Sequence, residues 1–175
     1  MENKNMLPVI LDVEASGFGR GSYPIEVGVV MADQVSHCML IRPELEWRHW
    51  DKAAEQLHCI TREQLLHYGH PAREVAHCLN NWLGGQLVYS DAWGNDSSWL
   101  ALLFEAAQCR QQFKLESLRS LLTDRQVTLW HQSKDHIISA GDFIRHRASN
   151  DAVVLQRTYQ QTFQQAKQST SSVDL

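Results

Sequence analysis

The sequence predicts a mixed α/β domain in which helices flank a single sheet. Compact apolar runs separated by short turns fill the N-terminal part, and helical periodicity interrupted by one further strand fills the rest. The length of 175 residues suits one domain, and hydrophobic residues, at 43%, are abundant enough to form its core. We therefore expect one domain over residues 1–166, followed by a polar, disordered tail at 167–175.

The N-terminal part predicts three strands, which end before Pro43. They are the apolar runs at 9–13, 25–31 and 36–41. The connections between them are short, and the first contains several glycines, which is typical of turns. This pattern favours an antiparallel meander.

The remainder of the chain is mostly helical in pattern. The expected elements are helices at 51–57, 61–66 and 71–83, a strand at 86–90, and helices at 95–108, 115–122 and 150–166. Thr61 and Gln64 have the spacing of a capping box, and Gly84 and Gly85 end the third helix. Residues 123–145 show no legible pattern.

The composition favours an intracellular protein. No uncharged apolar run approaches the ~20 residues of a membrane span, and the charged start lacks the apolar core of a secretory signal. The four cysteines lie far apart, which favours free thiols over disulfides or a zinc site. We therefore expect a cytoplasmic protein without membrane contact.

A net charge of −4 gives little attraction for long nucleic acid, but carboxylates gathered around divalent cations still permit phosphate chemistry.

Two carboxylates interrupt the first predicted strand. Asp12 and Glu14 stand two residues apart in a run that otherwise resembles a buried central strand, so both project from one face. Burying two like charges together is unfavourable unless a cation or several hydrogen bonds compensate. The pattern therefore predicts a divalent-metal site with oxygen ligands. The alternative is that the strand ends at Leu11 and that both groups are solvated.

A histidine and an aspartate lie around the start of the last predicted helix. On one continuous helix His146 and Asp151 would point roughly 140° apart, so they converge only if the helix begins between them. Ser149 or Asn150 could provide that start as an N-cap, with Asp151 in the first turn and His146 on the flanking loop. The alternative is an ordinary helix start in which Asp151 complements the helix dipole.

A further carboxylate lies at the start of the helix predicted after the fourth strand. Asp96 precedes Trp99, Leu100 and Leu103 by three, four and seven residues, so it shares the core-facing side of that helix. Asp91 directly follows the strand, and a glycine separates it from the helix. A carboxylate at the inward-facing start of a helix is either a cap or a ligand. If one of the two acids is a ligand, we expect it to be Asp96, because a ligand must be held rigidly, and we expect a supporting role for Asp91.

Together and in this order, the acids and the histidine resemble the DEDDh group of 3′-to-5′ exonucleases, which includes ribonuclease T, oligoribonuclease and the proofreading subunit of bacterial replicative polymerase. The motifs that carry the resemblance are Asp12-x-Glu14, Asp96-x-x-Trp99-Leu100 and His146-x4-Asp151. Two further segments, PIEVG at 24–28 and HCIT at 58–61, match the family, and the resemblance covers about residues 10–155.

The resemblance implies a ribonuclease H-like fold with a mixed five-stranded sheet, and a metal-dependent phosphodiester hydrolase. Asp12, Glu14, Asp96 and Asp151 would hold two Mg²⁺ or Mn²⁺ ions that activate water and stabilise the leaving 3′ oxygen. His146 would accept the proton of that water. The implied reaction releases nucleoside 5′-monophosphates from single-stranded or short 3′ ends of RNA or DNA, with RNA slightly preferred. A homodimer is also compatible with the resemblance.

The resemblance also implies contacts with the terminal nucleotide. Ala15 and Ser16 follow the first motif, where the family usually carries a threonine, so the details of the nucleotide pocket differ. His58 and Ile60 would border the sugar and the base, and Phe18 is placed to stack on a base. The alternative for these residues is local packing.

Two other functions stay open from the sequence alone. One is a non-catalytic nucleic-acid-binding module of the same fold, and the other is a metal-dependent phosphodiesterase that acts on a small nucleotide. The complete set of four acids and a histidine argues against the binding module, because clustered carboxylates repel phosphates.

Overall fold

The computed structural model describes residues 6–141 and 143–171, and its strands form one five-stranded sheet. The strands are β1 (Val9–Ala15), β2 (Pro24–Val30), β3 (Ser36–Leu40), β4 (Leu87–Ser90) and β5 (Lys114–Ser117). Their order is β3-β2-β1-β4-β5, so β1 is central. β1, β2 and β3 pair antiparallel, whereas β4 runs parallel to β1 and to β5. The mixed sheet expected from the sequence is confirmed.

Helices connect the strands and cover both faces of the sheet. The helices in the described residues are α1 (Lys52–His58), α2 (Arg62–Tyr68), α3 (Ala72–Leu83), α4 (Trp93–Ala106), a 3₁₀ helix (Leu118–Leu121), α5 (Asp124–Ala140) and α6 (Ala148–Ser171). Helix α6 packs on β1 and β2, and α5 packs on α6. No described helix combines the length and hydropathy that a membrane span requires.

The central strand separates two apolar clusters. Leu11 packs with residues of α3 and α4 on one side, and Ile10 packs with Leu155 of α6 on the other. Since side chains alternate along a strand, Asp12 and Glu14 share the face of Ile10. Both carboxylates therefore point to the side of the sheet that α6 covers.

Several elements lie where the sequence predicts them. The antiparallel meander, the fourth strand and the helix that follows Pro71 are all observed. At α2 the hydroxyl of Thr61 accepts a hydrogen bond from the backbone N–H of Gln64 at 3.2 Å, and the Gln64 side chain completes the capping box. These features depend on local periodicity and turn chemistry, which the sequence carries directly.

Other elements differ from the prediction. Residues 115–122 form β5 and a 3₁₀ helix instead of an amphipathic helix, because pairing with β4 outweighs the helical spacing of a short segment. The illegible stretch contains α5, whose start at Thr123 is marked by a capping box with Gln126. Helix α6 runs from Ala148 to Ser171, so it begins earlier and ends later than predicted. The end of the predicted polar tail, from residue 172 onward, lies outside the described residues.

Candidate active site

The strand β1 carries two of the predicted ligands to the carboxyl end of the sheet. β1 pairs with β4 at Ile10 and Tyr89, and Asp12 lies just beyond this pair. Asp12 and Glu14 face Gly28 and Glu26 of the neighbouring strand β2. Sites at the carboxyl ends of parallel strands are common in α/β proteins, because the connections after neighbouring strands can lead to opposite faces of the sheet and leave a crevice between them.

The first turn of α4 supplies the third carboxylate. Asp96 is 1% exposed, and its Oδ2 accepts a hydrogen bond from the hydroxyl of Ser90 at the end of β4. Asp91, in contrast, is exposed and forms an ion pair with Lys134 at 3.3 Å. Helix α4 therefore holds Asp96 toward the sheet, and Asp91 lies outside the cavity described below.

The junction before α6 brings His146 and Asp151 together. His146 lies on the loop in a left-handed conformation with φ of 58°, and its backbone N–H donates to Oδ2 of Asp151 at 3.0 Å. The other carboxylate oxygen, Oδ1, accepts from Nε of Arg145 at 2.8 Å. The helix begins between His146 and Asp151, as the sequence predicts. However, it begins at Ala148, so Ser149 and Asn150 are helical residues and not N-caps.

Glycine 28 allows α6 to approach the sheet closely. A Cβ atom on Gly28 would lie 2.1 Å from the backbone nitrogen of Ser149 and 2.2 Å from the carbonyl carbon of Ala148. These contacts are with backbone atoms, so a side chain at this position would push the helix away. The close approach places the first turn of α6, with Asp151, beside Glu14 of β1.

Charge repulsion and burial dominate the electrostatics of this cluster. Burial, reinforced by Asp96 and Glu14, raises the pKa of Asp12 well above its usual value. Burial, followed by the charge of Asp151, raises the pKa of Glu14 to about 7. Burial also raises the pKa of Asp96 to about 7, although the hydrogen bond from Ser90 opposes this shift. Such a cluster favours bound cations, because they offset the repulsion between the carboxylates.

The donor atoms fit divalent metal ions. One oxygen each of Glu14 and Asp151 and one ring nitrogen of His146 lie within 4.8 Å of one another. Asp12 and Asp96 add carboxylates on the adjoining wall. Carboxylate oxygens are hard ligands that suit Mg²⁺ and Mn²⁺, and nearby buried acids need positive charge, so the residues present fit the ions that the resemblance implies.

All five predicted catalytic residues line one open cavity of about 380 Å³. Of the predicted substrate-binding residues, Ala15, Phe18 and His58 also line it. Ser16 and Ile60 are buried and do not line the cavity. The hydroxyl of Ser16 accepts from the N–H of Tyr23 at 3.1 Å, so Ser16 holds the loop that presents Phe18.

His58 presents a buried donor to this cavity. The backbone N–H of Ile60 donates to Nδ1 of His58 at 3.1 Å, so Nδ1 is unprotonated and Nε2 carries the proton. Burial lowers the pKa of His58, which favours the neutral ring. His58 is 3% exposed, and its Nε2 has no hydrogen-bond partner among the described residues. Buried polar atoms are almost always paired, so Nε2 fits an acceptor on a ligand.

The structure adds cavity residues that the sequence interpretation did not assign. Leu57 of α1 is 56% exposed although it is apolar, and it lines the cavity together with Phe18, which is 69% exposed. Trp99, to which the sequence interpretation gave no role in substrate binding, also lines the cavity, and its ring centroid lies 6.0 Å from that of Phe18. An exposed leucine next to His58 was the available signal, but helical spacing alone does not show which exposed side chains face a cavity.

Solved structures share this architecture. E. coli exonuclease I in complex with a dT13 oligonucleotide superposes with a TM-score of 0.66 and 10% identity, over 90% of this chain and 40% of that one. The zinc-bound form of the E. coli exonuclease I–ssDNA complex superposes with a TM-score of 0.67 and 11% identity, over 89% of this chain and 40% of that one. Exonuclease I from Methylocaldum szegediense superposes with a TM-score of 0.63 and 12% identity, over 85% of this chain and 38% of that one. This chain shares the fold of the matched part of exonuclease I.

At these identities the exonuclease I fold describes the architecture alone. No protein-family model and no curated protein matches the sequence. The chain spans about 40% of the length of the exonuclease I chain in the dT13 complex. The ribonuclease H-like arrangement expected from the sequence is confirmed.

Proposed function

We propose that this protein is a metal-dependent 3′-to-5′ exonuclease that acts on single-stranded or short nucleic acid ends. The observation that carries the proposal is the convergence of four carboxylates and a histidine on one cavity with an exposed apolar wall. The exonuclease I fold supports it, since E. coli exonuclease I is bound to dT13 and dA16 oligonucleotides in two of the matching structures.

The acidic cluster is proposed to hold two divalent cations. Asp12, Glu14 and Asp151 would provide ligands for one of them, and Asp12 and Asp96 for the other. Bound there, the cations supply positive charge for the attacking and leaving oxygens of an in-line displacement at phosphorus. His146 lies at the cavity with its ring near Glu14 and Asp151, where it can accept the proton of the attacking water.

The apolar wall is proposed to hold the terminal nucleotide. Phe18 and Leu57 expose aromatic and aliphatic surface on which a base can pack, and every base offers such a face. The Nε2–H group of His58 would donate to an oxygen of the sugar or the phosphate. These contacts carry no strong preference for one base, so we expect an exonuclease with little sequence specificity.

The chemistry of the substrate strand is a separate question from the reaction. The resemblance favours RNA slightly, whereas the oligonucleotides bound to E. coli exonuclease I are DNA. Rates on RNA and DNA oligomers of matched sequence would measure the preference. The homodimer and the cytoplasmic location stay predictions.

The proposal is tested with 5′-labelled single-stranded oligonucleotides. We expect stepwise shortening from the 3′ end with Mg²⁺ or Mn²⁺, loss of activity in excess EDTA, and loss by orders of magnitude in Asp12→Ala. Asp33→Asn is the matched control, because Asp33 follows β2 at the opposite end of the sheet and an asparagine can still accept from Val35.

Different products would contradict the proposal in different ways. Internal cuts would indicate an endonuclease, and cleavage of mononucleotide diesters alone would indicate the small-nucleotide phosphodiesterase. Binding of oligonucleotides without any cleavage in Mn²⁺ would indicate the non-catalytic module.

A further inference from the structure

A buried ion pair lies beside Glu14, one of the candidate metal ligands. Glu26 of β2 is fully buried, and its Oε1 accepts from Nη2 of Arg147 at 2.6 Å and from Nε at 3.0 Å. Its Oε2 accepts from the backbone N–H of Ala148 at 2.8 Å. One carboxylate thus binds a guanidinium and the first residue of α6 at the same time. Bidentate pairs of this kind fix geometry more strictly than single hydrogen bonds.

The partners of Glu26 connect it to the site on both sides. In the sheet Glu26 is opposite Glu14, and along the chain Arg147 directly follows His146. The contact with Ala148 satisfies one of the N–H groups that a helix start leaves unpaired. The N–H of Asp151, three residues later, donates to the carbonyl of Arg147 at 3.0 Å within the first turn.

From this geometry we infer that Glu26 is a positioning residue, which together with Arg147 holds the His146–Asp151 junction in register with Glu14. The inference rests on the proposed function for the roles of His146 and Asp151, but not for the contacts themselves. Loops do not define side-chain positions well unless tertiary contacts hold them, and His146 lies on a loop in a left-handed conformation. The buried pair provides that hold.

A purely structural pair would give a different result from a positioning pair. Loss of a structural contact lowers the melting temperature and leaves the folded molecules with normal kinetics. Loss of a positioning contact changes the geometry of the folded molecules, so metal affinity and kcat fall while KM changes little. Losses of about 10–100-fold are typical when groups that orient metal ligands are removed.

The first variant is Glu26→Gln, whose amide oxygen can still accept from Ala148 but cannot form the charged bidentate pair. We expect Mn²⁺ affinity, measured by calorimetry without substrate, and kcat each to fall by about ten-fold or more. Arg147→Lys keeps the charge with a single hydrogen bond, so it provides a milder variant if Glu26→Gln does not fold. We expect it to lower kcat with a smaller change in melting temperature.

The matched control lies on the same helix. Gln156 is buried, and its Nε2 donates to the carbonyl groups of Pro8 and Met31, both at 2.8 Å, so it also anchors α6 to the sheet. We expect Gln156→Leu to lower the melting temperature while Mn²⁺ affinity and kcat of the folded protein stay unchanged. Equal losses of affinity in Gln156→Leu and Glu26→Gln would overturn the inference, because they would show a general effect of loosening α6.

A double variant separates positioning from simple electrostatics. In Glu26→Gln the charge of Arg147 is no longer paired, and it would repel a cation near Glu14. Glu26→Gln with Arg147→Gln removes that charge. Continued loss of affinity and kcat in the double variant supports positioning, whereas recovery would overturn it. If the wild type binds Mn²⁺ and Glu26→Gln weakens that binding, the inference holds even where no oligonucleotide is cleaved, so its failure is distinguishable from failure of the proposed function.

Discussion

Asp91 and Asp96 lie five residues apart but in opposite surroundings. Asp96 is buried in the first turn of α4 against Ser90, whereas Asp91 is exposed and pairs with Lys134. A buried carboxylate that lines the cavity can serve as a ligand with fixed geometry, and an exposed one in an ion pair cannot do so equally well. Residue type alone does not distinguish the two.

This contrast predicts different losses of activity for the same substitution at the two positions. Asp96→Asn should abolish nuclease activity, while Asp91→Asn should lower it about ten-fold or less. The reason is that removing a group that does not itself bind the metal seldom lowers activity by more than ~10–100-fold. The measurement is kcat under saturating Mg²⁺ for both variants. A larger loss in Asp91→Asn would transfer the metal role to Asp91.

Replacing Arg145 with a neutral residue should increase metal affinity. Its guanidinium binds Oδ1 of Asp151, an oxygen that the proposed metal site needs, so a cation and Arg145 compete for one carboxylate. Arg145→Gln should bind Mn²⁺ roughly ten-fold more tightly, since a nearby positive charge is removed. Calorimetry against Arg73→Gln, an exposed arginine of α3, provides the comparison. Weaker or equal binding in Arg145→Gln would show that the guanidinium does not oppose the cation.

The contact between β2 and the start of α6 is the element that brings distant parts of the site together. Residues of β2 contact the junction through Gly28 and Glu26, and the same junction carries His146 and Asp151. Helix α6 is also the principal cover of this face of the sheet, through residues such as Leu155. Displacement of its first turn would therefore affect both stability and the site.

Gly28→Ala tests this close approach. The added Cβ would meet backbone atoms of Ser149 at 2.1 Å, so the variant should lose about 1–3 kcal/mol of stability and most of its Mn²⁺ affinity. Gly94→Ala is the control, because a Cβ on Gly94 in α4 meets nothing within 4 Å. It should be neutral or more stable, since alanine favours the helix. Urea unfolding and calorimetry would check both variants, and normal metal binding in Gly28→Ala would contradict the required approach.

The acidic cluster affects the stability of the whole molecule. The pKa values of Glu14 and Asp96, both raised to about 7, lie above those of the unfolded chain, so the folded protein binds protons more tightly. Their contribution to stability is therefore fully present below about pH 4 and is lost as pH rises toward about 7. Bound cations should reverse this loss, because they stabilise the deprotonated carboxylates.

Thermal melts would measure this linkage. In EDTA the melting temperature should fall between about pH 5 and about pH 8, and Mn²⁺ should raise it more at the higher pH. Asp12→Ala should melt at a higher temperature than the wild type in EDTA at neutral pH, since one buried charge is removed, and it should respond less to Mn²⁺. Asp33→Asn should behave as the wild type. A wild-type melt indifferent to saturating Mn²⁺ would contradict a metal site here.

The sequence alone determined the fold class, and it identified the candidate site residues that the structure brings to one cavity. Period-two alternation placed Asp12 and Glu14 on one strand face, and helical spacing oriented Asp96, because both patterns are local properties of the backbone. The short strand β5 and the helix α5 were not predicted correctly, since pairing with β4 and packing on α6 decide them.

Only the tertiary structure decided which side chains share the cavity. Phe18 comes from the loop after β1, whereas Leu57 and His58 come from α1, and they line one cavity only because the fold brings that loop and that helix together. Likewise, the N–H of Ala148 at the start of α6 donates to Glu26, which is 122 residues distant in sequence. Local patterns cannot encode such contacts, because they depend on how strands and helices are brought together after each has formed.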